Sequence, residues 1–294
     1  MRLPPPAAGS VDLCRGLCYT GAAMEKNNPV RHLAGAVNLK YPVVLVHGIV
    51  AHDRGRANNF WGRIPGKLHE KGERVFLGNT DSWGGYESNA KLLKTTVDKV
   101  LRETKSEKVN LIGHSKGGID SRFYIWKYGG EKVASLTTIS TPHRGSEIAD
   151  LIYRQKIVYN KAAEKSLYIF GKLYGDTNPD IQGVNFQLTT KKMQEFNENV
   201  PMAGNVYCQS LYTTIKNPFD DLTFFYSYLY VKSVSGENDG VVSEWSANWG
   251  ENAMKIGEGI SHAEIIDYKK KMFRKADVPD IYVKITNNLA KKGF

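Results

Sequence analysis

From Tyr41 onward, apolar runs bounded by polar turns alternate with stripes of helical spacing. Tyr41-Pro-Val-Val-Leu-Val-His-Gly48 is a continuous, largely β-branched run, which predicts a central parallel strand buried on both faces. Arg74–Leu77 and Val133–Ile139 read as further strands, and Val109, Leu111 and Ile112 as the end of another. Between these runs lie helical patterns. Phe60–Lys71 is closed by Gly72 despite Pro65, and Ile119–Tyr128 stops at Gly129-Gly130. Ser88–Thr104 carries Leu92, Leu93, Val97, Val100 and Leu101 on one face, with Ser88 as N-cap. The β-α-β-α-β order predicts an α/β fold with a mostly parallel, doubly wound sheet.

The second half has a different texture. Ser146–Pro201 is rich in Ile, Leu, Tyr and Phe at helical spacing, with no strong strand. Such an insertion reads either as a cap or lid over a site or as an ordinary packed helical layer. Val206–Thr213 and Tyr228–Val234 are strand-like, and Val278–Lys292 closes the chain as an amphipathic helix carrying Ile281, Ile285 and Leu289, stopped by Gly293. Met1–Lys40, rich in Pro, Gly, Ala and Asn, lacks periodicity. The expected organisation is therefore an irregular extension over 1–40 and one domain over 41–294, with a lid or cap insertion near 146–201.

Composition narrows the classes. At 294 residues and 32.9 kDa the chain can hold one large α/β core, and no apolar run approaches a membrane span. Met1–Ser10 has no apolar stretch of the kind a secretory signal carries, which leaves location open, with export as a mature or signal-independent chain preferred over the cytoplasm. Three cysteines, Cys14, Cys18 and Cys208, argue against a disulfide framework or zinc site, although Cys14 and Cys18 are spaced for one bridge. The net charge of +10 implies attraction to anionic surfaces. Its densest cluster, Lys269–Lys271 with Arg274 and Lys275, reads as a solvated helix face. With no nucleic-acid-binding signature beside it, no nucleic acid is expected as partner.

The chemistry concentrates at Val109–Gly118, where Gly113-His114-Ser115-Lys116-Gly117 joins a strand to a helix. A strand that reverses into a helix within one residue forces strained φ/ψ on Ser115 and brings the positions two before and two after into contact, where only Gly fits. The hydroxyl then projects from the sheet tip beside free helix N–H groups. Serine needs a base within hydrogen-bond reach, oriented by an acid. In this architecture the acid and then the histidine follow the serine in the chain. Only His143 and His262 follow Ser115. His143 leaves little room for an acid strand before it and reads as a support for its loop; His262, in a Gly-rich approach ahead of an Ala-Glu-Ile-Ile helix, is the expected base. Asp239, in the Asn238-Asp239-Gly240 turn beyond a Val231–Ser235 strand run, is the expected acid, with Glu237 as the alternative. The N–H groups of Lys116 and of Ile49, after His47-Gly48, are the expected oxyanion donors.

With these residues placed, the chain resembles the Gram-negative-type bacterial triacylglycerol lipases of the α/β-hydrolase superfamily. The resemblance is carried by Tyr41–Gly48, Lys108–Gly117, Gly145-Ser-Glu-Ile-Ala-Asp-Leu151, Leu188-Thr-Thr with Glu195-Phe-Asn197, and Asn238-Asp-Gly240. It implies the α/β-hydrolase fold and hydrolysis of acylglycerol esters at a lipid–water interface, with Ser115 as nucleophile, Asp239 as acid, His262 as base and a mobile helical lid within Ser146–Pro201. A short-chain or polyester-type carboxylesterase is the alternative within enzymes, and a catalytically idle lipid-surface binding module the alternative outside them. Two departures stand out. Lys116 occupies a position where similar lipases carry Gln or Met, so a cation there would alter substrate preference. The structural calcium of related lipases would fall to Asp220 and Glu264, the latter where Asp is usual. No cofactor is expected in catalysis.

Overall fold

In the computed structural model the described residues are 38–50, 52–53, 60–155, 165, 168–169, 171–173, 175–268 and 277–294. The extension expected over 1–40, the Cys14 and Cys18 pair, the basic cluster at Lys269–Lys275 and the middle of the 146–201 insertion lie wholly or largely outside them.

Six strands form one parallel sheet: β1 (Val43–Val46), β2 (Val75–Leu77), β3 (Val109–His114), β4 (Val133–Ile139), β5 (Tyr207–Thr214) and β6 (Ala253–Glu258), in spatial order β2-β1-β3-β4-β5-β6. β1, β3 and β4 are buried along their whole length, as expected when helices cover both faces, although β3 and β4 carry buried polar residues such as Asn110 and Ser135.

Side chains alternate between two cores because successive residues of a strand face opposite ways. Val43, Leu45, Ile112 and Ile139 pack on one side with Trp61, with Ile64 and Leu68 of α1 (Ile64–Glu70), and with Tyr282, Ile285 and Leu289 of the last helix (Val278–Lys291). Val44, Val46, Val109, Leu111 and Leu136 pack on the other. Their partners there are Ala90, Leu93, Val97 and Val100 of α2 (Tyr86–Thr104) and Tyr124 of α3 (Lys116–Tyr124). Each fully buried side chain of this size contributes roughly 1.5–3 kcal/mol, so both helical layers are held by the strand pattern itself.

A third cluster lies on α3. Ile119 meets Ala149 of α4 (Glu147–Gln155), Val184 of α5 (Ile181–Gln187) and Met193 and Phe196 of α6 (Thr190–Asn199). The described end of the 146–201 stretch is thus a packed helical layer.

Several expected elements differ. Tyr228–Val234, read as a strand, lies within helix α7 (Phe225–Ser235). Its aromatic and β-branched residues favour extended chain, yet the place beside β5 is taken by β6, a strand later in the chain. A helix satisfies its backbone internally, and Tyr228 and Val231, three residues apart, supply its buried stripe. The half-exposed β6 was not expected and runs only two residues into the Gly-rich approach to His262, and the Ala-Glu-Ile-Ile segment after His262 is a series of turns. α2 begins at Tyr86, two residues before Ser88, with Gly85 as its N-cap, so Ser88 is not its N-cap. α3 widens into a π-helical turn over Ile125–Gly129. The last helix, α8 (Val278–Lys291), stands as expected.

Candidate active site at the strand ends

Ser115 sits between β3 and α3 with φ 54° and ψ −128°, a conformation that costs a non-glycine residue on the order of 1–3 kcal/mol. Its amide donates to the Ile139 carbonyl at 2.9 Å, pinning the turn to β4. A Cβ on Gly113 would lie 2.7 Å from the Gly117 carbonyl oxygen, and one on Gly117 would lie 2.2 Å from that of Val46. The two glycines permit the contact that the elbow requires. Gly48 is equally constrained: a Cβ there would stand 2.9 Å from Ser115 Cβ and 3.4 Å from its Oγ. The Gly48–Ile49 backbone therefore passes directly over the serine. Ile49 packs against the cluster around Ile119, and Val50, next along, has φ 79°.

Asp239 reaches the same end of the sheet by an indirect path. β5 ends at Thr214, the chain runs out through α7, and it returns where the Ile215 amide donates to the Asn238 carbonyl at 2.9 Å. The Asp239 carboxylate is buried. Its Oδ1 accepts from the amides of Val241 and Val242 at 3.0 and 2.8 Å, and its Oδ2 lies 2.7 Å from His262 Nδ1. The His262 amide donates back to the Asp239 carbonyl at 2.9 Å, so the two residues are joined twice. A carboxylate only accepts here, which places the proton on Nδ1 and leaves the lone pair on Nε2. The His262 ring packs on that of His114, the residue before Ser115, with centroids 4.6 Å apart. Burial first, and the neighbouring His262 second, hold His114 well below the usual imidazole range.

The remaining histidines and acids sort clearly. His143 is buried, accepts from Arg122 Nη1 at 3.2 Å through Nδ1 and meets Thr138 Oγ1 at 2.9 Å through Nε2, so it braces the loop after β4. Burial holds Arg122 down to about 10. Glu237 is exposed and paired with Lys232, away from His262's partner. His47 is buried between the Gly48 and Thr80 carbonyls. The Lys116 ammonium does not reach for substrate: it is buried against Asp120, and Asn89 Nδ2 donates to the same carboxylate at 2.8 Å. The expected influence of a cation on substrate preference therefore has no exposed cation behind it.

The two acids expected to bind calcium, Asp220 and Glu264, each make local hydrogen bonds. Asp220 Oδ2 closes its own turn, accepting from the amides of Lys216 at 2.7 Å and Asn217 at 3.3 Å. Glu264 is buried and accepts from the Ser261 amide at 2.8 Å, and Asp221 accepts from the hydroxyl of the same serine at 2.7 Å. Among the described residues, two groups of three His, Asp or Glu bring ligand-type atoms within 4.8 Å of one another, His47–His52–Asp53 and His52–Asp81–Asp176; neither contains Asp220 or Glu264. Sequence reasoning passed over His52, Asp81 and Asp176. The one signal was a His-Asp pair close behind His47-Gly48.

Comparison with known proteins places this geometry. The family model for palmitoyl protein thioesterases matches residues 42–277. The chain belongs to that family. It is similar to Triacylglycerol lipase 2 of Saccharomyces cerevisiae, 30% identical over 80% of this chain and 74% of the relative. It is also similar to the triacylglycerol lipases of Pseudarthrobacter phenanthrenivorans and Burkholderia plantarii, 35% identical to each over 56% of this chain. The chain spans about half the length of these two relatives, 55% and 49%. Among solved structures, Staphylococcus hyicus lipase aligns with a TM-score of 0.67 at 17% identity, over 86% of this chain and 97% of that one. Bacillus licheniformis lipase BlEst2 in mature form aligns at 0.60 and 22%, over 82% and 91%. The fold of this family member is the α/β-hydrolase fold. No helix among the described residues is long and apolar enough to cross a membrane.

Proposed function

We propose that the chain is a carboxylic ester hydrolase that cleaves acylglycerols at a lipid–water interface through a Ser115–His262–Asp239 triad. The observation that carries this reading is the double junction of His262 with Asp239, its ring lying on the residue that precedes the strained serine. The relatives named as triacylglycerol lipases supply the substrate class.

In this mechanism Ser115 Oγ attacks the ester carbonyl carbon while its proton passes to His262 Nε2. Asp239 holds the resulting imidazolium. The carbonyl oxygen becomes an oxyanion facing the Ile49 and Lys116 amides, each such donor being worth about 10²–10³ in rate. Collapse breaks the bond to the alcohol, which leaves with the proton from His262. Water, deprotonated by His262, then attacks the acyl-enzyme and releases the acid with Ser115 restored. No step passes through a metal.

Ser115→Ala tests the reading: hydrolysis of p-nitrophenyl esters and of emulsified triolein falls by several orders of magnitude, whereas full activity in that variant refutes it. Stoichiometric labelling of Ser115 by a fluorophosphonate separates the enzyme from an idle lipid-binding module. The name of the matched family model favours one second reading, an acyl thioester substrate, whose sulfur leaving group the same oxyanion site would accommodate. The ratio of kcat/KM for an oxygen ester and a thioester of one acyl chain decides between them.

A further inference from the structure

The loop that carries Ile49 is held at both ends. At one end Gly48 lies against Ser115. At the other, His52 Nε2 lies 2.7 Å from Asp176 Oδ1, with both side chains almost fully buried. Asp176 belongs to the 146–201 insertion. Its carboxylate also accepts from the amides of Ser82 at 2.7 Å and Trp83 at 2.9 Å. Asp81 returns the contact: its Oδ1 accepts from the Thr177 amide at 2.9 Å, and its Oδ2 from Thr177 Oγ1 at 2.6 Å and the Asn178 amide at 2.8 Å. Two segments thus cap one another reciprocally, and His52 plugs the oxyanion loop into them. Asp53, beside His52, accepts from the Asn79 amide at 3.2 Å, which adds a second tie to the same region.

Between the two anchors stands Val50, with φ 79°. A β-branched residue in the left-handed region is strained by on the order of 1–3 kcal/mol and holds that conformation only where its surroundings impose it. Val50 is 68% exposed, so its own side chain does little to impose it. The restraint comes from the ends. Were the His52 end released, Val50 would relax to negative φ, and the Gly48–Ile49 peptide that carries the Ile49 N–H would lose the restraint from downstream.

We propose that Asp176 is a positioning residue for the oxyanion site, acting through His52 to hold the strained Val50 and so to aim the Ile49 N–H at the reacting carbonyl. The inference rests on the hydrolase reading above and on Ile49 as donor. It assigns to the 146–201 insertion a role in setting the turnover rate.

The test uses the full chain with p-nitrophenyl butyrate as substrate and a fluorophosphonate as label. His52→Ala lowers kcat by about 10- to 100-fold with KM within twofold, since a misaimed donor weakens transition-state binding more than ground-state binding. Asp176→Ala gives a similar loss, and the double variant is no worse than either single one. Because Asp176 also caps Ser82 and Trp83, folding of its variants is checked by thermal melting, and His52→Gln, which retains a donor, serves as the conservative variant and recovers most of kcat. Val50→Gly in the His52→Ala background restores part of the loss, because the loop no longer needs restraint against strain; a merely structural role would not respond so. An unchanged kcat in His52→Ala, a loss confined to KM, or additive losses in the double variant overturns the inference while leaving Ser115 labelling intact. A chelator that reproduces the His52→Ala loss in the unaltered chain also overturns it, making the cluster a metal site. Failure of the unaltered chain to be labelled overturns the hydrolase reading itself.

Discussion

The Lys116 ammonium lies 2.7 and 2.9 Å from the two carboxylate oxygens of Asp120, one turn along α3, and both side chains are buried. Burial pushes the Asp120 carboxyl up, and Lys116 opposes that shift. Neither charge has another buried partner of opposite sign in this contact, so removing one strands the other. Lys116→Met should therefore cost about 3–5 kcal/mol in urea unfolding, and Lys116→Met with Asp120→Leu should recover most of that. The double variant keeps the Lys116 backbone position and should still be labelled at Ser115.

Ser115 stores strain that its neighbours sustain. Replacing it by Gly removes the steric penalty at φ 54°, a gain of about 1–3 kcal/mol that exceeds glycine's entropic cost of roughly 0.5–1 kcal/mol. Ser115→Gly should melt at a higher temperature than Ser115→Ala, although neither hydrolyses esters. Equal melting temperatures would show that the elbow is not strained in solution.

Asp239 and Glu237 sit two residues apart with opposite surroundings. Asp239→Asn leaves the turn intact but presents an amide where His262 needs an acceptor, so kcat should fall by about 10⁴. Glu237→Gln removes an exposed partner of Lys232 and should leave kcat within twofold. Steady-state kinetics on a soluble ester read both.

Two buried imidazoles make the fold sensitive to mild acid. His114 and His143 are both held well below the ordinary value of 6.5, chiefly by burial, so the folded chain stays unprotonated where the unfolded chain binds protons. Below pH 6.5 the unfolded state gains those protons and stability falls, by about 1.4 kcal/mol per pH unit for each histidine, until the folded values are reached. Above 6.5 these groups contribute no pH dependence. Carboxylates with depressed values, such as Asp176, lose their contribution only below their ordinary 3.8. Unfolding free energies at pH 7.5, 6.5 and 5.5 isolate the histidines, and His143→Gln should roughly halve the slope between the last two.

What the sequence revealed follows from how local the constraint is. The elbow was legible because its glycines are dictated by contacts within a few residues and with one neighbouring strand. Strand β1 was legible because burial on both faces leaves an unbroken apolar signature, and β3 and β4 because their apolar residues cluster between turn signals. α7 was misread because its composition favours a strand, while the place beside β5 goes to β6, later in the chain, which no local pattern reveals. Asp220 and Asp221 differ by one position, and which of them meets Ser261 depends on the turn that Asp220 closes on itself. The His52–Asp176 contact joins residues 124 positions apart, so no local pattern announces it.

The single rung between Ile215 and Asn238 has an evolutionary consequence. The segment from Lys216 to Glu237 leaves and rejoins the strand ends there, and it is tied back by Ser261 Oγ donating to Asp221 and Ser227 Oγ donating to the Gly240 carbonyl. Its outward face, at Tyr226 and Leu229, can change with Asp239 still delivered to the same spot, which makes it the natural place for descendants of this chain to diversify what they accept.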